Sequence, residues 1–160
     1  MIHADKHLTA SQLLPSVNRL FDASAAKLKN MFDKWNPSKG TPVFTVNGEY
    51  TSRGWTEWTQ GFMFGSAILQ SGATGDRTFL ELGREGTVKY MASHISHIGV
   101  HDHGFNNVST YGNLMRLMDE GRIEFDARER DFYELALKLT GAIQAARWTQ
   151  ISPDRGYVYS

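Results

Sequence analysis

The chain has 160 residues, of which 41% are hydrophobic and 12% aromatic, as in a globular protein with one modest core. Its 17 lysines and arginines balance 17 aspartates and glutamates, so the charge gives no reason to expect a nucleic-acid or anionic-membrane partner. The lack of cysteine excludes disulfides and thiolate metal sites, and no apolar run approaches the roughly 18 residues of a membrane span.

Helical periodicity dominates the beginning of the chain, where apolar residues three, four and seven apart predict one helix over residues 9–35. Pro15 fits best in the first turn of this helix, where its missing N–H costs nothing. A β-hairpin is predicted over residues 43–51, because Asn47 and Gly48 tolerate the positive φ angles of a type I′ turn.

The next two helices are predicted to form a tightly connected pair. The first covers residues 58–71 and stops at Gly72, and Asp76 is a suitable N-cap for the second. Gly83 and Gly86 fall inside the second helix, where each costs about 1 kcal/mol relative to alanine. A close contact between helices would explain both glycines.

Two more helices are predicted over residues 106–120, with Gly121 as the stop, and over residues 127–148. Their expected core positions are Val108, Tyr111, Leu114, Met115 and Met118, and then Phe132, Leu135, Ala136, Leu139, Ile143 and Ala146. The order of helix, hairpin and four further helices predicts an all-α protein built from antiparallel helix pairs. A Tyr-Val-Tyr alternation near residue 158 predicts the start of an extended segment.

The segment HISHIGVHDHGF, residues 94–105, contains four of the six histidines. Its spacing matches no familiar zinc motif, although His94 and His97 share a helix face, so we expect no bound metal. Asp102 lies between His101 and His103, which favour its ionised form when either is charged. A catalytic acid/base role and a plain N-cap for the following helix are both open for Asp102.

Four motifs follow one another in the order found in a known enzyme family. They are WTQGFMFG (58–65), SGATGDRTFLELG (71–83), HDHGF (101–105), and the helix ELALKLTGAIQAARW (134–148) followed by GYVYS (156–160). Together they resemble the unsaturated glucuronyl hydrolases and the unsaturated rhamnogalacturonyl hydrolases (glycoside hydrolase families 88 and 105).

The resemblance implies that residues 1–160 are the N-terminal part of a single (α/α)6 barrel of six helical hairpins, whose family members are more than twice as long. Members use two catalytic aspartates. By resemblance Asp102 is the first, while the second belongs to a later helix without a counterpart in this chain. The chain by itself is therefore expected to be inactive.

The resemblance also implies the reaction. The substrate is an oligosaccharide that carries a 4,5-unsaturated uronic acid left by a polysaccharide lyase. A carboxylic acid protonates C4, a water activated by the same group adds at C5, and the hemiketal opens to release the next sugar. This chemistry needs no cofactor or metal and differs from the two-carboxylate displacement of ordinary glycosidases.

Three further residues are candidates for substrate binding, each with a structural alternative. His101 would bind a substrate oxygen or be a simple loop histidine. Trp58, with Trp55 as the neighbouring alternative, would stack on a sugar or belong to the core. Trp148 stands where the family places an aromatic near the sugar, or closes the core at a helix end. Two arginines would bind a uronate carboxylate or be solvated: Arg147 and Arg155.

Two other functions remain open from the sequence. One is a non-catalytic carbohydrate-binding or scaffold member of the same helical fold, and the other is an (α/α)6 sugar isomerase or epimerase. The expected partners are an oligosaccharide and the rest of the barrel or another chain, with neither nucleic acid nor membrane. The start MIHADKHLTA lacks the apolar core of a signal peptide, and the cytoplasm and the periplasm both stay open.

Overall fold

The computed structural model describes residues 7–159, and the chain divides into two compact units after Lys34. The first unit contains helix α1 (Ala10–Lys34), as the periodicity predicts. Pro15 lies inside this helix rather than in its first turn, so the prediction for Pro15 is wrong. Because proline has no N–H, the carbonyl of Ser11 receives no helical hydrogen bond from that position. The signal-peptide prediction falls partly on residues 1–6, which lie outside the described residues.

The second unit, which begins at Trp35, is mostly helical and carries two small β-hairpins. Its elements are β1 (Thr41–Val46), β2 (Glu49–Arg53), α2 (Thr59–Thr74), α3 (Arg77–Tyr90), α4 (Ala92–Ile95), a π-helix (Gly104–Gly112), α5 (Asn113–Asp119), α6 (Ala127–Ala146), β3 (Trp148–Ser152) and β4 (Arg155–Val158). The predicted mostly helical class with a small β-hairpin is confirmed. Over residues 7–159, no helix combines the length and apolar character that a membrane span requires.

The first hairpin forms where the sequence predicts it. Asn47 and Gly48 have φ angles of 52° and 80°, as a type I′ turn requires, and Val46 pairs with Glu49 across the turn. The strands extend slightly beyond the predicted 43–51 limits, to Thr41 and Arg53.

Helices α2 and α3 form an antiparallel pair, and glycines make their contact close. A Cβ on Gly83 would lie 2.5 Å from Ile68 Cγ1, and one on Gly86 would lie 2.2 Å from Phe64 Cδ1. The contact points advance along α3 while they retreat along α2, which defines the antiparallel direction. The predicted close contact at both glycines is confirmed.

The connection between α2 and α3 differs from the prediction at one end. Helix α2 continues past Gly72 and ends at Gly75, whose φ of 76° is left-handed. Gly72 instead faces Leu117, where a Cβ would lie 3.1 Å from Cδ2, so its smallness serves packing rather than termination. Asp76 is the N-cap of α3, as predicted, and its Oδ1 accepts from the N–H of Thr78 at 2.8 Å.

The C-terminal part departs from the prediction in two ways. Helix α6 ends at Ala146, and the extended segment forms a second hairpin, in which Trp148 pairs with Val158. Several α6 residues predicted to be buried are exposed instead: Phe132, Leu135, Leu139 and Ala146. Ala136 is buried as predicted, and Tyr133 and Thr140 are buried beside it, which rotates the buried face of the helix relative to the prediction.

Candidate functional site

Two neighbouring helical segments run parallel and bring their N-terminal ends together. A Cβ on Gly61 would lie 2.3 Å from Asn106 Cα, and one on Gly65 would lie 2.7 Å from Ser109 O. The contacts advance in the same direction along both segments. Only glycine permits such a close backbone approach, which the N–H of Gly61 uses to donate to Asn106 Oδ1 at 3.1 Å. Consequently, the start of α2 lies beside the HDHGF segment.

The last two residues of HDHGF begin a π-helix, a conformation that often occurs at functional sites. The N–H of Asn113 points to the carbonyl of Val108, five residues earlier, as well as to that of Thr110. The wider turn changes which side chains face inward. Asn106, Asn107 and Thr110 are buried, whereas Val108 is 55% exposed, so its predicted core position is wrong. Ordinary 3.6-residue periodicity does not describe these nine residues.

Asp102 lies in the turn that leads into the π-helix. Its side chain is 17% exposed, and Oδ1 is 3.6 Å from Nε2 of His101, whose side chain is 52% exposed. The backbone carbonyl of Asp102 accepts from the N–H of Asn106 at 3.0 Å. His103, not Asp102, precedes the first residue of the π-helix. The described contacts of the Asp102 carboxylate are therefore those of a group beside a histidine rather than of a helix cap.

Two of the four histidines are buried behind this turn. His94 Nε2 donates to Gln60 Oε1 at 2.8 Å, and His103 Nε2 donates to the carbonyl of His97 at 2.7 Å. The carbonyl of His94 accepts from Asn107 Nδ2 at 3.0 Å. Burial, followed by the charges of His103 and His97, lowers the pKa of His94 from 6.5 to about 4. His94 is therefore neutral at pH 7, and its role is structural.

Trp55 packs against the rings of His94 and His97. Its ring lies edge-on at 5.5 Å from the ring of His94 and at 4.9 Å from that of His97. In the part of the chain that the structure describes, no three His, Asp or Glu side chains are grouped so that they could hold a metal ion. The predicted shared helix face of His94 and His97 is wrong, because α4 ends at Ile95, and both rings pack against Trp55 instead.

Trp58 belongs to an exposed aromatic cluster at the start of α2. Its ring lies 5.3 Å from that of Phe62 and 5.9 Å from that of Phe105, and these two phenylalanines are 5.3 Å apart. All three side chains are exposed, so the core alternative for Trp58 is wrong. Phe105 is the last residue of HDHGF, and the cluster therefore joins two of the quoted motifs.

His101 and Trp148 line one open cleft of about 530 Å³, together with Ile98, Gly99, Ala146, Arg147, Thr149 and Tyr159. Trp148 is 55% exposed and is the first residue of β3, so neither the predicted helix end nor a core plug describes it. Gly156 lies opposite the indole, where a Cβ would be 2.4 Å from ring atoms. Because Gly156 has no side chain, the indole ring of Trp148 has room at this position.

Arg147 connects the histidine loop with the second hairpin. Its guanidinium donates to the carbonyl of Ile98 through Nη1 and to that of Tyr159 through Nη2. Gln144 supports the same loop by donating to the carbonyl of Val100 at 3.3 Å. Among residues 7–159 the lining of the cleft thus contains one arginine and no carboxylate side chain. The sequence predicts an Arg147 that either binds a uronate carboxylate or is solvated, and it does not predict these contacts with the loop and the hairpin. Arg155 is exposed in β4.

The predicted site residues therefore fall into two adjoining groups. His101 and Trp148 share the cleft, and Asp102 contacts His101 at its edge. Trp58 lies in the aromatic cluster, which reaches the same turn through Phe105. The sequence does not reveal that Phe62 and Phe105 join this cluster, although they belong to the motifs WTQGFMFG and HDHGF.

Comparison with known proteins adds no relative. No protein-family model, curated protein or solved structure matches the chain. The likeness to the unsaturated uronyl hydrolases consequently rests on the four motifs. Ser160, the last residue of the fourth motif, lies outside the described residues.

Proposed function

We propose that the protein is a glycoside hydrolase that acts on unsaturated uronyl oligosaccharides, with Asp102 as its catalytic acid and base. The observation that carries the proposal is the position of the Asp102 carboxylate, 3.6 Å from His101 Nε2 at the edge of the cleft that His101 and Trp148 line. The carboxylate is largely covered but remains accessible at 17% exposure. A carboxyl group must reach both substrate and water to perform the proposed steps.

In the proposed reaction the protonated Asp102 donates its proton to C4 of the 4,5 double bond. The carboxylate formed then accepts a proton from a water whose oxygen bonds to C5, which restores the acid. The C5 hemiketal opens as its bond to the ring oxygen breaks, which leaves a ketone at C5 and a hydroxyl on C1. The resulting C1 hemiacetal then collapses to an aldehyde, and its bond to the next sugar breaks as that sugar leaves as an alcohol. His101 is assigned to hold the carboxylate and to donate to a substrate oxygen.

Substrate binding is assigned to the exposed aromatics and to the positive charge of the cleft. Trp148 and Trp58 offer flat apolar surfaces on which sugar rings can stack. Arg147 contributes a guanidinium that carries a full positive charge while its described hydrogen bonds go to carbonyl groups. That charge favours an anionic uronate in the cleft over a neutral sugar.

We further propose that the helices are part of an (α/α)6 barrel that other hairpins, or another chain, complete. Helix α6 supports this proposal because it leaves Phe132, Leu135 and Leu139 exposed. Adjacent apolar side chains on one helix normally lie against a neighbouring element. The parallel arrangement of α2 and the segment from the π-helix to α5 is also the relation between inner helices of such a barrel.

The test is loss of the ultraviolet absorbance of the double bond when the natural protein is incubated with unsaturated uronyl disaccharides. Asp102→Asn is expected to lower kcat at least a hundredfold, in line with the usual contribution of general acid/base catalysis. Asp131→Asn, which removes an exposed carboxylate on α6, is the matched control and should retain full activity. Equal activity of Asp102→Asn and the parent would contradict the assignment, as would no turnover across the pH range.

A second candidate function is carbohydrate binding without catalysis. It is favoured by the cleft lining, which carries Trp148, His101 and Arg147 but no carboxylate within the described residues. Calorimetry would then detect binding of the unsaturated disaccharide, with Trp148→Ala weakening it, while its absorbance stays constant. Turnover that depends on Asp102 would exclude this candidate.

A further inference from the structure

A second cavity lies at the opposite end of α2 from the candidate functional site. It has a volume of about 600 Å³ and lies where α2 ends, α3 begins and the segment after α5 passes. Since α2 has 16 residues, this cavity is roughly 24 Å along the helix from Trp58. Its lining includes three arginines and one carboxylate: Arg77, Arg84, Arg122 and Glu124.

Arg84 is the most enclosed of these arginines; its guanidinium interacts with the side chain of Tyr133 but has no close carboxylate partner among the described residues. Its side chain is 23% exposed, and its Nε is buried without a hydrogen-bond partner among the described residues. The carboxylates of Glu129 and Glu81 are 3.6 and 3.9 Å away, beyond hydrogen-bond length. Glu129 already accepts from the hydroxyl of Tyr133 at 3.1 Å. Nε of Arg84 is thus a buried donor without a hydrogen bond, in a side chain that lines the cavity.

The other two arginines also have no close carboxylate partner among the described residues. Arg122 lies 3.9 Å from Glu120, whose carboxylate is engaged at 2.9 Å by Arg116. Arg77 is exposed and makes no ion pair within residues 7–159. Arg130, which lies outside the cavity, differs because it is only 2.8 Å from Asp119 and 3.0 Å from Glu134.

We propose that this cavity binds a small molecule through a phosphate-type dianion. Within residues 7–159 the three planar guanidinium groups of the lining form no ion pair shorter than 3.6 Å, and a phosphate presents three or four oxygens and two charges to such donors. The cavity volume falls within the range of small-molecule sites, so both free phosphate and a phosphorylated sugar are admitted. This site is separate from the proposed hydrolase site, and its test needs no catalytic activity.

The experiment is a titration of the natural protein with inorganic phosphate and, separately, with a hexose 6-phosphate at constant ionic strength. Calorimetry measures the affinity, and amide NMR shifts should concentrate at Gly75, Arg77 and Ile123. Tighter binding of the hexose phosphate assigns a phosphomonoester, and equal or tighter binding of phosphate assigns the free ion. No saturable binding of either probe, or equal affinity for acetate, would overturn the proposal.

Variants locate the binding within the cavity. Arg84→Gln should weaken phosphate binding on the order of tenfold, because one charge-assisted pair is lost. Arg77→Gln tests an exposed position whose change leaves the packing intact, and it should weaken binding about threefold, as expected for a more solvated pair. Arg53→Gln removes the same charge from an exposed position in β2, outside the cavity lining, and is the control that should bind phosphate as the parent does. If Arg84→Gln and Arg77→Gln both bind phosphate as the parent does, the site is not in this cavity.

Discussion

Acidification should destabilise the protein through His94, because the folded chain binds a proton at this residue less readily than the unfolded chain does. Burial lowers the pKa of His94 from 6.5 to about 4, and the nearby His103 and His97 act in the same direction. Between these two pH values the unfolded state holds more protons, so the free energy of unfolding falls as pH falls. The contribution of His94 is complete above pH 6.5 and is lost toward pH 4.

The size of this effect follows from the shift. A lowering of this extent corresponds to about 3 kcal/mol at full protonation, of which about 2 kcal/mol is lost between pH 7 and pH 5. A loss of this size is a large part of the 5–15 kcal/mol typical of domain stability. The expected result is therefore a visible drop in the denaturation midpoint well before general acid unfolding.

The assay is urea unfolding followed by tryptophan fluorescence at pH 7, 6 and 5. His94→Gln lacks the titrating ring, so it should be less stable at pH 7 but lose about 2 kcal/mol less than the parent on acidification. His101→Gln changes a half-exposed histidine of the same loop and should keep the parent's pH dependence. The reasoning is refuted if His94→Gln and the parent show the same change in unfolding free energy between pH 7 and pH 5.

Three further substitutions test the packing and the helix ends by the same urea unfolding at pH 7. Gly61→Ala places a Cβ 2.3 Å from Asn106 Cα and should cost about 3 kcal/mol or more, whereas Gly141→Ala, with nothing within 4 Å, should stabilise by about 0.5–1 kcal/mol. Equal effects at the two glycines would contradict the close helix contact. Asp126→Ala removes a cap that accepts from two backbone N–H groups at 2.8 and 2.9 Å, and a loss of about 1 kcal/mol is expected. An unchanged stability would exclude that capping role.

Features of the fold that depend on neighbouring residues could be predicted from the sequence. The Asn47-Gly48 turn and the Asp76 cap each need only a few adjacent residues, and both form where predicted. Gly83 and Gly86 were recognisable because a helix tolerates glycine poorly without a packing reason. Gly72 is a glycine because its α2 position packs against Leu117. From the sequence, a glycine required by packing cannot be distinguished from one that ends a helix.

Features that depend on distant contacts were beyond the sequence pattern. The π-helix places Val108 outside and Asn107 inside, because its wider turn fits against the glycine face of α2. The buried face of α6 is likewise set by what lies beside Tyr111, whose ring contacts both Phe132 and Tyr133. An amphipathic pattern read at 3.6 residues per turn averages over such local changes.

Burial divides the histidines of residues 94–105 in a way that clarifies the candidate site. His94 and His103 spend one ring nitrogen each on a fixed acceptor inside the protein, and His97 packs against Trp55. His101 alone among them combines an exposed ring with an approach to Asp102 at the cleft edge. The buried residues His94 and His103 therefore fix the loop, while His101 and Asp102 are available for chemistry. A substitution at His94 should accordingly lower the stability of the fold, and one at Asp102 should lower turnover. If the histidines carried the chemistry instead, the Asp102 substitution would leave turnover unchanged.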